Sequence, residues 1–383
     1  MAETISLRDV MPASATTKVG ALDDDGASTS AQSSSDELNA GARRETSISS
    51  VMDFENGYCV SRALCLKELP AVGRFYVSSR DIRQGELVLQ ATFPAAVVHE
   101  DFISRVCTHC FSVAKTKLPC VCPCCKYVSF CSDACLQASS SSAHAAECMA
   151  LRRLKEQRPR LDRSGMTRLR LLLRDFYSSL QMTWQSGGQF RQLISSPLCT
   201  NKDHFMQQKH WKQTRKESAA ILAAFERCCG LDFHLKEEDA LRALFAYQCN
   251  MFDMHGVGVG ICIPASMFNH SCAPNVCKSI HGTELFFFAL RDIAEGEPVC
   301  ISYVDPRESK VERRQQLQKH YGFDCCCARC EDSSIPLATM CSKQVGYMVA
   351  PWGIKGASKP WCSHCDSSLA LKYSVEGRCG ERS

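Results

Sequence analysis

Cysteine and histidine spacing is where this sequence shows chemistry first. Between Cys107 and Cys148 four pairs follow one another: Cys107-x2-Cys110, Cys122-x2-Cys125, Cys131-x3-Cys135 and His144-x3-Cys148. A two-residue gap lets one tight turn offer two thiolates to a single ion, and zinc takes four such donors in a tetrahedron. Seven cysteines and one histidine make eight donors, hence two zinc ions. Cys120 or Cys124 could stand in for Cys122; the repeated x2 spacing favours Cys122 with Cys125. A second cluster, Cys325-x-Cys327-x2-Cys330, supplies three thiols and has no fourth nearby. Three buried thiolates without a partner would be unstable, so a distant ligand should complete the set. Cys272, within "FNHSCAPN", is the candidate. A looser set of Cys341, Cys362, Cys365 and Cys379 is irregularly spaced and leaves a fourth site open. Cys249, Cys262 and Cys300 are expected to pack as small hydrophobes.

The chain has 27 cysteines in 383 residues. Its N-terminus, "MAETISLRDVMPASATTK", lacks the apolar segment of a signal peptide, and no run of about 18 apolar residues follows. Metal binding is therefore expected rather than disulfides. A net charge of +4 argues for neither nucleic acid nor a membrane surface as partner. The apolar share of 45% suits a globular protein, and the length calls for two or three units.

Residues 1–50 are rich in Ser, Thr, Ala and Gly and read as a disordered tail. The following β-rich stretch contains "FYVSSRDIRQGELVLQATF", which reads as short strands joined by a hairpin at Arg-Gln-Gly-Glu. Beyond the first cysteine cluster, "MTRLRLLLRDFYSSLQM" and "SAAILAAFERCCG" carry helical apolar spacing. The basic run from Arg152 to Arg174 reads as a solvated helix face. Strands return with "GVGICIPA", "ELFFFALRDI" and "PVCISYV", and "KVERRQQLQKHYGF" is helical. The last fifty residues are loop-like. "RDIRQGELVL" and "RDIAEGEPVC", one on each side of the interruption, suggest one β-domain with inserts.

"GVGVGICIPASMFNHSCAPN", then "ISYVDP" with "ERRQQLQKHYGFDCCCARC", together with the cysteine pairs, resemble SET-domain lysine methyltransferases of the SET-MYND type. The resemblance covers about Tyr58 to Glu331. It implies an α+β fold: a β-rich SET domain of small, pseudoknotted sheets, an exception to unknotted connections. The first part of that domain would span 51–106, a MYND zinc finger 107–148, a helical insert 149–247, the SET core 248–305 and a cysteine-rich post-SET zinc segment 306–331. Residues 332–383 would be loop-rich, with a degenerate zinc ribbon left open. In MYND fingers the first and third pairs share one ion. On that pattern Cys107, Cys110, Cys131 and Cys135 form one site, and Cys122, Cys125, His144 and Cys148 the other. These fingers often bind proline-containing peptides, but Gln137 falls one place late and "ASSSSA" replaces the expected Trp before His144, which favours a structural role.

The resemblance also implies a reaction, the S-adenosylmethionine-dependent transfer of a methyl group to a protein lysine. Tyr303 matches the catalytic tyrosine, and Tyr321 would help orient the amine. Gly73, Asn250, Asn269, His270, Tyr303, Tyr321 and Phe323 match cofactor-contacting positions. The family's Gly-x-Gly loop reads Gly73-Arg74-Phe75 here, and Phe brings bulk where glycine lets backbone approach a ligand. A non-catalytic SET-MYND adaptor is the alternative. Expected cofactors are S-adenosylmethionine and three zinc ions, two in the finger and one in the post-SET site. The expected partner is a protein with an accessible lysine, a histone tail among the options; a protein at the finger is left open, and neither membrane nor specific nucleic acid is expected. A monomer in nucleus or cytoplasm is expected.

Overall fold

The computed structural model describes residues 59–372 apart from positions 62, 70–71, 141–142, 186–192, 194, 196, 210, 230–234 and 351–358. The expected disordered tail and Cys379 lie outside the described residues. Among the described residues no helix is long and apolar enough to cross a membrane.

After a short strand β1 (Cys59–Val60), β2 (Leu64–Leu69) and β3 (Gly73–Ser78) form an antiparallel hairpin, registered from Leu64 opposite Ser78 to Leu69 opposite Gly73. The next strand, β4 (Leu87–Thr92), does not fold back on β3 as the sequence suggested. It pairs instead with β1 and with a strand near residue 284. The reason lies in the turn between them. Ile82 exchanges two backbone hydrogen bonds of 2.9 Å with Ile293, so the chain is carried across to another sheet. The two similar Arg-Asp-Ile stretches thus grip each other: the Asp292 carboxylate accepts from Gln84 N–H (2.8 Å), and Asp81 accepts from Glu295 N–H (3.0 Å). Gly85 and Gly296 hold matching positive φ values of 81° and 79°, a conformation that costs glycine little.

Next, β5 (Ala95–Val98) leads into the first cysteine cluster, with a small hairpin of β6 (Cys120–Val121) and β7 (Ser129–Phe130). Helices follow: α1 (Asp133–Ser140), α2 (Ala143–Gln157), α3 (Arg163–Gln185), α4 (Lys202–Met206), α5 (Trp211–Cys229) and α6 (Glu237–Asn250). The chain returns through β8 (Met251–Asp253) and β9 (Gly258–Ile261), and β9 pairs with both β8 and β5. Hence β5 and β9 are neighbours although the cysteine cluster and all six helices lie between them. Gly260 makes this junction possible, because a Cβ there would stand 2.6 Å from the Phe93 ring.

The basic run is less solvated than its composition suggested. Arg170 is buried and donates to the Val98 carbonyl (2.7 Å) and to Glu100 Oε1 (2.8 Å), while Arg174 Nε donates to Glu147 Oε2 (2.7 Å). α3 packs on β5, so these arginines face the interior and need carboxylates there.

The last core strands are β10 (Asn269–His270), β11 (Val276–His281), β12 (Glu284–Ala289) and β13 (Cys300–Ile301). β10 runs parallel to β13, and the order of the largest sheet is β1-β4-β12-β11. In "ELFFFA" the three phenylalanines are all buried, as a strand covered on both faces requires. Phe287 stacks on Phe268 (4.5 Å between centroids), and Phe288 meets Trp361 edge-on at 5.1 Å. α7 (Lys310–Tyr321) and α8 (Ala328–Glu331) lead to a ribbon of β14 (Met348–Val349) and β15 (Trp361–Cys362). The C-terminal segment, expected to be loop-like, therefore supplies the cover for the outer face of β12.

Candidate active site and metal clusters

Four sulfurs held about 2.3 Å from one zinc ion stand about 3.8 Å apart along the tetrahedral edges. Three four-donor sets have that dimension. Cys107, Cys110, Cys131 and Cys135 converge within 4.8 Å of one another. Within this set Cys131 Sγ lies 3.6 Å from Cys110 Sγ and 3.5 Å from Cys135 Sγ. Cys122, Cys125, His144 and Cys148 converge likewise, with Cys122 Sγ 3.6 Å from Cys148 Sγ and 3.3 Å from His144 Nε2. The other imidazole nitrogen, Nδ1, faces Glu147 Oε1 at 3.4 Å, the carboxylate–histidine pairing that fixes a metal-facing ring. Burial opposes ionisation of Glu147, yet Arg174 and His144 hold its carboxyl below the usual range. The third set is Cys272, Cys325, Cys327 and Cys330, with Cys272 Sγ 4.0 Å from Cys325 and 3.6 Å from Cys330. The cysteines from Cys65 to Cys365 are free of disulfides.

The third set borders the tyrosines through His270. That ring accepts from Tyr303 N–H at Nδ1 (3.0 Å), while Nε2 lies 3.3 Å from Cys272 Sγ. Both ring nitrogens are thus engaged within the chain, and His270 couples the strand end bearing Tyr303 to the cysteine cluster. Arg329 reinforces the join by donating to the carbonyls of Cys272 (3.0 Å) and Pro306 (2.7 Å).

Tyr303 follows β13, and its hydroxyl donates to the Phe268 carbonyl at 2.6 Å. The parallel pairing of β10 with β13 is what brings these two ends together. Tyr321, last residue of α7, lies 4.9 Å from the Tyr303 ring; Phe323 stands 6.5 Å from Tyr321 and 6.0 Å from His270. A capping box at Ser309 and Glu312 fixes where α7 begins, and Gly322 ends it with φ of 75°. Burial pushes both phenols well above the ordinary tyrosine value, so both stay protonated.

Gly73 opens β3 with φ of 74°, and nothing lies within 4 Å of where its Cβ would be. It joins the tyrosine group through β3: Tyr76 meets Phe268 edge-on at 5.0 Å and its carbonyl accepts from Val299 N–H (2.9 Å). Phe75, half-buried, pairs with Lys67 across the hairpin. Asn250 ends α6, and its amide donates to the carbonyls of Cys199 and Ala246 at 2.8 Å each, leaving only its oxygen for a ligand.

Residues 197–201 join this group without any signal in the sequence. Arg74 donates to the Pro197 carbonyl, and Asn201 to the Tyr321 carbonyl. Cys199 and Cys249 lie close enough to act electrostatically on the Tyr303 phenol. Cys249, expected only to pack, therefore borders the site.

Residues 73–304 match the family model described as "SET domain". "Histone-lysine N-methyltransferase ASHR1" of Arabidopsis thaliana is 25% identical over 288 residues, covering 72% of this chain and 56% of the relative. "Histone-lysine N-methyltransferase SMYD3" of Homo sapiens is 28% identical over 260 residues, covering 65% and 57%. "SET domain and MYND-type zinc finger protein 6" of Schizosaccharomyces pombe is 26% identical over 285 residues, covering 73% and 54%. The chain spans little more than half the length of these relatives.

Proposed function

The chain belongs to the SET domain family, and from that premise we propose that it transfers a methyl group from S-adenosylmethionine to a lysine side chain of a protein. The observation that carries this reading is the Tyr303 hydroxyl bonded to the Phe268 carbonyl (2.6 Å), beside Tyr321 and the Asn269–His270 strand.

S-adenosylmethionine, when bound, supplies an electrophilic methyl on a sulfonium. Gly73, Asn250, Asn269, His270, Tyr303, Tyr321 and Phe323 are the residues proposed to hold it. Open space at Gly73 and its positive φ suit a backbone that must approach a ligand. The amine must arrive neutral, although free lysine has a pKa of about 10.4. An aromatic enclosure of Tyr303, Tyr321 and Phe323 disfavours the charged form by desolvation. Tyr303 commits its proton to Phe268 and keeps oxygen lone pairs to accept from the amine. Being neutral, neither tyrosine is suited to act as base. Their work is alignment of the nucleophile, a proximity effect of several kcal/mol.

The three four-donor sets are proposed to hold zinc, two in the MYND-type finger and one beside His270. Histones are a fitting substrate class, since two relatives carry that word in their names. A protein partner at the finger, action as a monomer, and a nuclear or cytoplasmic location complete the proposal. Phe75 favours a second reading, an adaptor that binds partners without turnover.

The test is transfer of a labelled methyl from S-adenosylmethionine to core histones and to a cell extract, run beside Tyr303→Phe. Lysine labelling by the wild type and its loss in the variant are expected. Equal labelling by both proteins, or none by the wild type, would overturn the reading.

A further inference from the structure

Outside the three sets, the thiols of Cys341, Cys362 and Cys365 lie within 4.8 Å of one another. Their setting is a short ribbon. β14 and β15 pair antiparallel with Met348 opposite Cys362 and Val349 opposite Trp361. Cys341 opens a tight turn before β14, closed by Gln344 N–H to the Cys341 carbonyl (2.7 Å) and Cys341 N–H to the Gly346 carbonyl (2.9 Å). Cys362 opens a matching turn at the end of β15, where Cys365 N–H donates to Cys362 Sγ (3.3 Å).

The second turn directs a backbone amide at sulfur, Cys365 N–H to Cys362 Sγ. An amide donor aimed at a thiol suits a thiolate, the form that binds a metal. The first turn wraps Cys341 through residues 341–346. It accepts strain to reach this geometry, since Gln344 has φ of 55°. Gly346 is required by the approach of the two turns, because a Cβ there would stand 2.9 Å from Cys362 Sγ. Two strands of two residues each cannot hold such a turn pair alone; small ribbons of this size need a staple.

We propose that Cys341, Cys362 and Cys365 bind a further zinc ion, which fastens the C-terminal ribbon over the outer face of β12. Soft thiolate donors select zinc, whose fourth position here would be taken by water or by a further donor. Through Trp361 and Val349 the ribbon covers Phe286 and Phe288, so the ion would stabilise the sheet from outside the SET core.

Metal analysis of the full chain tests this. Wild-type protein is expected to carry one zinc more per chain than Cys365→Ser, in which an exposed thiol is replaced. Equal zinc in the two proteins overturns the proposal. A second reading uses native protein and a thiol-alkylating reagent. Cys365 should react far more slowly than Cys124, also exposed, until a chelator is added. Labelling of Cys365 at the rate of Cys124 before chelation overturns it too. The zinc difference is read at one site and does not depend on whether the other three sets are filled.

Discussion

Tyr303→Phe deletes the hydroxyl that Phe268's carbonyl accepts and leaves the ring contact with Tyr321 in place. Turnover is expected to fall by about 100-fold or more, the usual effect of losing one aligned polar contact to a reacting group. Cofactor affinity should change little, and calorimetry beside steady-state assays checks the split. The pH profile gives an independent check. Burial raises the Tyr303 phenol above its ordinary value. The rate should therefore rise with lysine deprotonation and show no descending limb from tyrosine ionisation up to about pH 10. A fall beginning near pH 9 and absent from Tyr303→Phe would contradict the neutral-phenol role. At this scale the sequence was informative where contacts are local: Asn269, His270 and Cys272 sit in one short motif. Arg74 and Asn201 were not legible, because their contacts to Pro197 and Tyr321 exist only once 197–201 lies over the site.

Elements place these residues through a few fixed points. The Ser309 hydroxyl accepts from Glu312 N–H (3.3 Å), and the Glu312 carboxylate accepts from Ser309 N–H (3.0 Å). Ser309→Ala should cost about 1 kcal/mol. Because α7 carries Tyr321, activity should decline along with the thermal midpoint measured by scanning calorimetry. Phe287→Ala should be harsher, about 3–5 kcal/mol, since it empties a fully buried position stacked on Phe268. Denaturant titration of the two variants would rank them. The apolar run around Phe287 announced a strand, and its lack of alternation fits cover on both faces. What the run could not reveal was the cover itself, which comes from Trp361 and Val349 far along the chain. The turn at Arg83–Glu86 misled for a related reason. Its residues suit a hairpin, but the long-range pairing of Ile82 with Ile293 sends β4 to another sheet.

On the scale of the whole molecule, a sheet domain is interrupted after β5 and resumed at β8; two cysteine sets follow the break, and a third ties Cys272 to the segment after α7. If zinc fills the clusters, its removal should loosen the finger and the segment after α7 together. Thiolates must be unprotonated to bind metal, so affinity falls as pH falls. Chelation should therefore proceed faster at about pH 5.5 than at pH 7.5, followed by zinc release and loss of thermal stability. Release that is unaffected by acid would count against thiolate ligation. The order of cysteine pairs was readable because metal spacing is short-range; the partnership of Cys272 with Cys325 and Cys330 had to be inferred from an incomplete set. The central claim is that the surface around Gly73, Asn269 and His270 holds S-adenosylmethionine despite Phe75. Calorimetric titration of the zinc-loaded wild type with S-adenosylhomocysteine, beside Phe75→Gly, tests it directly. One-site binding in the micromolar range by the wild type is the predicted result. No heat from the wild type, with binding restored in Phe75→Gly, would contradict it.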